Sequence, residues 1–252
     1  MKIEFLGVGS CMPEYEQADT ASLIVNGHIL VDTGWHVVRN LLRSNVKPEN
    51  ITHIFFTHMH QDHYLGLAAF LFYLMNGFHT FGNLKIYGPE GVESIVENAL
   101  LYGGRDVYYS DIPKPFVHTI ASGECVCLDD VKISCVASRH AVDSRAYRME
   151  NPETGKSVVY TGDTEPFAAL PDFARGSDVL IHEASFDIRQ RPEHNPYRHS
   201  SCYDAANAAA AAGVKTLYMV HASTVSREST IAEASKIFPD CRRPVEGDCI
   251  EL

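Results

Sequence analysis

Residues 55–63 read Phe55-Phe56-Thr57-His58-Met59-His60-Gln61-Asp62-His63, which puts four potential metal ligands into six positions directly after a short apolar run. Neutral imidazole and carboxylate are groups that Zn²⁺, Mn²⁺ and Fe²⁺ all accept, and a carboxylate can bridge two such ions. With residues 51–56 as a buried strand, period-2 geometry sends His58 and His60 to one side just past its end, while Asp62 and His63 open the next helix. Two ligand pairs then sit a few ångströms apart, an arrangement suited to a dinuclear hydrolytic centre. A lone HxH is a weak signal, because surface histidines cluster by chance; the full HxHxDH at a strand-to-helix junction is much more specific. Four later residues, His140, Asp163, His182 and His221, each follow a predicted strand, where a rigid sheet can aim side chains at a common point. Taken singly, each reads as an ordinary hydrogen-bonded or exposed side chain.

The elements that have to carry these groups follow from periodicity. Residues 2–6 predict a first strand, followed by Gly7-Val8-Gly9-Ser10-Cys11-Met12-Pro13. Met12 stands where a dinucleotide fingerprint needs its third glycine, so no nucleotide cofactor site is expected and the loop reads as a tight turn near a site. Residues 20–25 and 28–31, separated by Asn26-Gly27, predict a β-hairpin with a two-residue turn. Residues 64–75 are apolar nearly all round and predict an interior helix. A strand at 84–87 and a helix at 91–101 come next, and then short strands dominate from 116 to 159, with Cys125 and Cys127 sharing one face as buried thiols. The last third alternates: a strand at 179–181, an alanine-rich helix at 204–212 capped by Ser200 or Ser201 and closed by Gly213, a strand at 215–220 and a helix at 229–237. Two successions of β-rich then βα-rich sequence, one with Asp32-Thr33-Gly34 and the other with Thr161-Gly162-Asp163, point to an α/β two-sheet sandwich flanked by helices.

The chain has 252 residues, 45% hydrophobic and 21% charged, which suits one globular domain over 1–252. Its 21 basic and 32 acidic residues give a formal charge of −11, which disfavours nucleic acid as a partner while leaving a local basic pocket open. Seven cysteines form neither CxxC pairs nor a regular framework and read as reduced, in a cytoplasmic protein. Glu4 interrupts any signal peptide, and the most apolar stretch, 65–78, is too short to span a bilayer, so no membrane partner is expected. The aromatic segments 70–81 and 102–109 read as core packing and as a mobile lid, with a substrate mouth or a homodimer face as alternatives.

His58-Met59-His60-Gln61-Asp62-His63 followed by Gly66-Leu67, then Ser138-Arg139-His140, Thr161-Gly162-Asp163-Thr164 and Val220-His221-Ala222-Ser223 resembles the metallo-β-lactamase superfamily along essentially the whole chain. The resemblance implies a four-layer αββα sandwich with two divalent ions at one edge. It implies His58, His60 and His140 on the first ion, Asp62, His63 and His221 on the second, and Asp163 bridging both. Zinc suits this nitrogen-rich set best, and Mn²⁺ or Fe²⁺ accept it too. Ile181-His182-Glu183-Ala184-Ser185-Phe186 is similar to the histidine-glutamate-alanine-threonine motif of the ribonuclease Z branch and its phosphodiesterase relatives, in which Glu183 would work with a downstream histidine, His199. His182 is the misfit in this pattern, and the alternative is that His182 and Glu183 both make structural hydrogen bonds. Two departures separate the chain from true ribonuclease Z. His140 and Asp163 are 23 positions apart (163 − 140), too close for the flexible arm of the transfer-RNA enzyme, and its basic loop is replaced by Glu14-Tyr15-Glu16-Gln17-Ala18-Asp19.

The expected function is a dinuclear metal-dependent phosphodiesterase acting on a small or cyclic phosphodiester through a hydroxide shared by the two ions. Asp62 is expected to orient or deprotonate that nucleophile, and His199, kept protonated by Glu183, to protonate the leaving alkoxide. A lactone or thioester hydrolase using the same centre is the alternative, with a transfer-RNA 3′-processing endoribonuclease further off. A redox role is disfavoured because 252 residues leave no space for a flavin domain beside this fold, and a metal-free role because every ligand position is filled. A phosphate pocket separates the first two readings, and Ser10, Arg139, Arg148, Ser223 and Thr224 are its candidates.

Overall fold

Strands that are apolar on both faces cannot lie at a surface, and the chain stacks them into two sheets covered by helices. The computed structural model describes residues 1–12, 14–15, 18–223 and 226–252. One sheet receives β1 (Lys2–Gly7), β2 (Ser22–Val25), β3 (Ile29–Val31), β4 (His53–Phe55), β5 (Lys85–Gly88) and β6 (Phe116–Thr119). The other receives β7 (Cys125–Cys127), β8 (Lys132–Ala137), β9 (Arg145–Glu150), β10 (Ser157–Tyr160), β11 (Val179–Glu183), β12 (Thr216–Val220) and β13 (Cys241–Arg242), before β14 (Cys249–Glu251) returns to pair with β1. Their orders are β14-β1-β2-β3-β4-β5-β6 and β13-β12-β11-β10-β9-β8-β7. The helices α1 (Val37–Arg43), α2 (Gln61–Tyr64), α3 (Gly66–Phe78), α4 (Val92–Tyr102) and α5 (Arg105–Tyr108) belong to the first half, and α6 (Leu170–Ala174), α7 (Cys202–Ala212) and α8 (Arg227–Ala234) to the second.

Alternation along each strand builds three apolar interfaces. Phe5, Val31, Phe55, Tyr147, Val158, Tyr160 and Ile181 fill the space between the sheets. Leu30, Ile54 and Ile86 turn the other way against Leu67 and Leu71 of α3 and Val96 of α4, while Val159, Leu180 and Leu217 meet Ala205 and Ala209 of α7. Each fully buried side chain of this size contributes about 1.5–3 kcal/mol, so burial and not helix propensity holds the four layers together. The result is the expected αββα sandwich. Strands β3 to β6 run parallel to one another, as do β10 to β13, so two sets of C-terminal strand ends meet at one edge. Such an edge is where α/β sheets place their ligands, because the chain leaves each strand there in a loop.

Three local expectations need correction. Val25 pairs with Ile29, so the hairpin turn holds three residues, with Asn26 (φ 49°) and Gly27 (φ 75°) taking the left-handed conformations. Helix α3 is not interior: Leu67, Phe70, Leu71, Leu74 and Met75 are buried, but Leu65, Phe72 and Phe78 are exposed because only one side of the helix is covered. Cys125 and Cys127 do share a face, but it is the solvent face, since it is Val126 between them that packs on the inter-sheet core. All seven cysteines are free. The 102–109 segment contains the short helix α5, with Val107 and Tyr108 exposed and the Tyr109 hydroxyl donating to Asn76 Oδ1 at 3.0 Å. Among the described residues, no helix is long and apolar enough to cross a membrane.

Candidate metal centre

The expected ligands leave their elements at that one edge. His58 and His60 follow β4, Asp62 and His63 lie in α2, Asp163 follows β10, His221 follows β12, and His140 follows β8. The structure brings His58, His60 and His140 together as one group and Asp62, His63, Asp163 and His221 as another, each residue offering one ligating atom within 4.8 Å of the others in its group. Asp163 faces both: its Oδ2 lies 3.4 Å from His63 Nε2, 3.4 Å from His221 Nε2 and 3.8 Å from His58 Nε2. Asp62 Oδ2 lies 3.3 Å from His221 Nε2 and 3.4 Å from His63 Nε2.

Polar atoms at the centre fit a divalent cation. His58 Nε2, His63 Nε2 and Asp163 Oδ1 are buried with no hydrogen-bond partner. Each such atom costs about 1–3 kcal/mol when left unsatisfied, and a cation satisfies all of them at once. The set holds nitrogen and carboxylate oxygen but no thiolate, which suits Zn²⁺, Mn²⁺ or Fe²⁺. His60 Nδ1 and His140 Nε2 are 3.0 Å apart, an approach that two lone pairs tolerate only with a proton or an ion between them. Burial holds His58 well below the usual imidazole range and His140 at about 4, so both are neutral and free to ligate. Burial pushes the Asp62 carboxyl up, but hydrogen bonds to His221 and His63 outweigh it and keep Asp62 ionised below the ordinary carboxylate range.

A second layer of contacts aims the imidazoles. Thr57 Oγ1 contacts His58 Nδ1 at 3.0 Å, Asp32 Oδ2 takes His63 Nδ1 at 2.9 Å, and Ser185 Oγ meets His221 Nδ1 at 2.8 Å. With Nδ1 engaged, Nε2 is the atom each ring presents. Asp32 is the hub that sequence reasoning passed over as a mere strand end. It is fully buried and also accepts from Thr57 N and Thr57 Oγ1, both at 2.8 Å. The Asp32-Thr33-Gly34 element, set opposite Thr161-Gly162-Asp163 in the other half, was the available signal. Gly162 (φ 58°) lets the second element pack against Thr57, which is hydrogen-bonded to Asp32, because a Cβ there would lie 2.6 Å from Thr57 Cβ. Asp32→Asn keeps the shape but loses the charge on His63, and is expected to weaken metal affinity about 10–100-fold. Competition with a chelator measures this, and an unchanged affinity would remove Asp32 from the centre.

Strand β11 decides the roles of His182 and Glu183 by alternation. Ile181 faces the inter-sheet core and Leu180 the helices, so His182 turns outward toward α7 while Glu183 turns to the site. His182 Nδ1 bonds the Glu183 carbonyl oxygen at 2.7 Å, the structural hydrogen bond expected of it. Glu183 Oε1 accepts from Thr164 N at 2.8 Å and meets His199 Nδ1 at 2.9 Å, and Oε2 accepts from Ser185 Oγ at 2.8 Å. Burial works against a charged His199 ring, but the Glu183 hydrogen bond and the charges of Glu183 and Asp163 hold its pKa at about 9. Ser185, also passed over in the sequence, links Glu183, His221 and His199 through one hydroxyl.

The phosphate-pocket candidates divide. Arg148 is at the wrong end: its guanidinium donates to Phe173 O, Arg175 O, Ser177 Oγ and Ser157 Oγ, beside the start of β10. Arg139 is at the rim, beside His140. Ser10 lies two residues past Val8, whose carbonyl accepts from His221 N at 2.8 Å, and the Ser223 carbonyl accepts from Arg243 Nη2 at 3.0 Å. Thr224, and Pro13, Glu16 and Gln17 of the acidic loop, lie outside the described residues. Asp19 of that loop does not face incoming phosphates, because it is buried and accepts from Thr20 N, Trp35 N, His36 N and Asn40 Nδ2. A cleft of about 720 Å³ lined by His28, His53 and Lys85 sits at the opposite, N-terminal ends of β3, β4 and β5, away from all these groups.

Paired parallel-strand ends and a histidine–aspartate cluster suited to divalent ions define a metal-dependent hydrolase of the metallo-β-lactamase fold. The chain belongs to the beta-lactamase superfamily, whose domain matches residues 28–222, and to its ribonuclease Z-like branch. It is similar to ribonuclease Z of Methanocaldococcus jannaschii, 30% identical over 88% of this chain and 86% of the relative. Two solved structures share the fold. The metallo-beta-lactamase fold protein YhfI of Bacillus subtilis gives a TM-score of 0.82 at 21% identity, covering 100% of this chain and 98% of its own. A diphosphatase of the PhnP family gives 0.74 at 21% identity, covering 100% and 97%. The expectation that nucleic acid is disfavoured finds no support in a relative named as a ribonuclease.

Proposed function

We propose that residues 1–252 act as one phosphodiesterase domain that cleaves a small or cyclic phosphodiester with two divalent ions, zinc first among Zn²⁺, Mn²⁺ and Fe²⁺, in the cytoplasm. The observation that carries this reading is the Glu183–His199 pair: His199 Nδ1 lies 2.9 Å from Glu183 Oε1, a contact that, against burial, raises its pKa to about 9, and 3.8 Å from Oδ2 of Asp163, which faces both ligand groups. A proton held there serves a leaving group that is a poor anion, such as the alkoxide of a phosphodiester, and is wasted on a thiolate. The relatives named as ribonuclease and diphosphatase support phosphorus over carbon as the reacting centre.

Ions held by His58, His60, His140, Asp62, His63, His221 and Asp163 would supply Lewis-acid chemistry, namely acidified water at neutral pH and charge uptake on phosphoryl oxygens. Asp62, ionised and buried between His63 and His221, orients the attacking water and accepts its proton. Glu183 fixes the His199 ring, itself braced by Thr164 N and Ser185 Oγ, so that the imidazolium delivers its proton to the departing oxygen. Protein loaded separately with each metal, assayed on bis(p-nitrophenyl) phosphate, a 2′,3′-cyclic nucleotide, a lactone, a thioester and a precursor transfer RNA, tests the reading. The 2′,3′-cyclic nucleotide, whose leaving alkoxide needs a proton, is expected to exceed the thioester in kcat/KM by about 100-fold, the lower range of general-acid help. A faster lactone establishes the acyl hydrolase instead, and cleavage of the RNA establishes an endoribonuclease.

A further inference from the structure

Three guanidiniums gather around one carboxylate at the rim of the metal centre. Arg139 precedes His140, Arg198 precedes His199, Arg191 lies in the same loop as Arg198, and Glu165 comes two residues after Asp163. Arg139 Nε is 2.6 Å from Glu165 Oε1, whereas Arg191 Nη1 is 3.7 Å from Oε2 and Arg198 Nε is 3.9 Å from Oε1. Arg191 Nε also stands 3.6 Å from Asp204 Oδ2, an oxygen already taken up by Ser201 N and Ser201 Oγ in the cap of α7. The backbone ties the rim to the ligands: Glu165 N donates to Arg139 O at 2.9 Å, and Arg198 Nη1 donates to His140 O at 3.2 Å.

Separations of 3.6–3.9 Å are Coulombic approaches, not hydrogen bonds, so Arg191 and Arg198 keep donors for another acceptor. Arg148 shows the contrast, with its guanidinium spent on four internal oxygens. The Glu165 side chain is only 12% exposed, while Arg139, Arg191 and Arg198 are 61%, 36% and 47% exposed. Three cations therefore face solvent over two carboxylates that are already engaged, in a chain whose formal charge is −11. Tyr197, also exposed, lies beside them with its ring 6.5 Å from that of His199.

We propose that Arg139, Arg191 and Arg198 form a subsite for a second phosphoryl group, so that the substrate is a nucleotide-like phosphodiester carrying a further phosphate. The planar fork of arginine matches phosphate oxygens in pairs, and Glu165 holds the three forks in place until the anion arrives. The proposal rests on the phosphodiesterase reading for the bond that is cut, but it is tested by binding alone. Calorimetry on the metal-loaded full chain compares thymidine 3′,5′-bisphosphate with thymidine 5′-monophosphate at low and high salt. The bisphosphate is expected to bind about tenfold more tightly at low salt, an advantage that shrinks as salt screens the rim. Arg139→Ala and Arg191→Ala should each erase most of that advantage while changing monophosphate affinity less than about twofold, and Arg175→Ala, beside Arg148 at the far end, should leave the ratio intact. Equal affinities in the unmodified protein overturn the subsite without any variant having to fold. So does a rim variant that loses both ligands equally. Preferential bisphosphate binding by a protein that hydrolyses no phosphodiester supports the subsite and removes only the reading of the bond.

Discussion

Asp163→Asn is expected to lower kcat/KM on bis(p-nitrophenyl) phosphate by about 10³–10⁴-fold, since an ion's stabilisation of transition-state charge amounts to several kcal/mol and each 1.36 kcal/mol is tenfold. The reason is geometric as well as electrostatic. Asp163 is the one carboxylate among the described residues that lies within 3.8 Å of histidines from both ligand groups, and an amide keeps its shape without its charge. Bound metal, read by elemental analysis after gel filtration, should drop below the unmodified protein's stoichiometry. Burial opposes ionisation of Asp163, but His221 and His63 outweigh it and keep the carboxyl far below its ordinary range, so the position is charged at every working pH. Full metal content together with full activity in the variant would sink the shared-carboxylate centre.

His199→Ala should leave metal content intact and reduce turnover of an alkyl phosphodiester by about 10²–10⁴-fold, with a much smaller loss on a p-nitrophenyl ester whose leaving group needs no proton. The pH profile carries the same test with a definite sign. His199 must be protonated to act as an acid, so kcat falls as pH rises through its pKa, about 9 without ions and displaced downward by nearby cations. That alkaline limb should vanish in the variant. In ion-free protein the raised pKa also has a stability consequence. The Glu183–His199 pair contributes stability that is complete below the ordinary imidazole value of 6.5 and is lost as pH rises through about 9. An unchanged leaving-group dependence in His199→Ala removes His199 from the chemistry.

Asp163 is marked in the sequence by its place after a strand and His199 through the family resemblance, whereas local spacing singles out the histidine motif. His58, His60, Asp62 and His63 form a cluster within one turn of chain, and their residue types alone limit what they can hold. Strand and helix periods placed most elements within a few residues, and the layered α/β sandwich follows from that alternation because each apolar face needs a partner. Boundaries and faces were less legible. The exposure of Cys125 and Cys127, or of Leu65 and Phe72, depends on which neighbour covers a face, and that neighbour is distant in the chain.

What the order of residues determined by itself is the inventory: imidazoles and carboxylates at strand ends, with Glu183 and His199 marked through the family resemblance. Only the tertiary structure decided which of them meet. It turned His182 outward and Glu183 inward on a single strand, seated Asp32 behind His63, sent Arg148 to the far end and drew Arg139, Arg191 and Arg198 around Glu165. The physical reason is that side-chain direction is local, set by a strand's period of two, whereas proximity is set by how two sheets stack, and no short window of sequence records that.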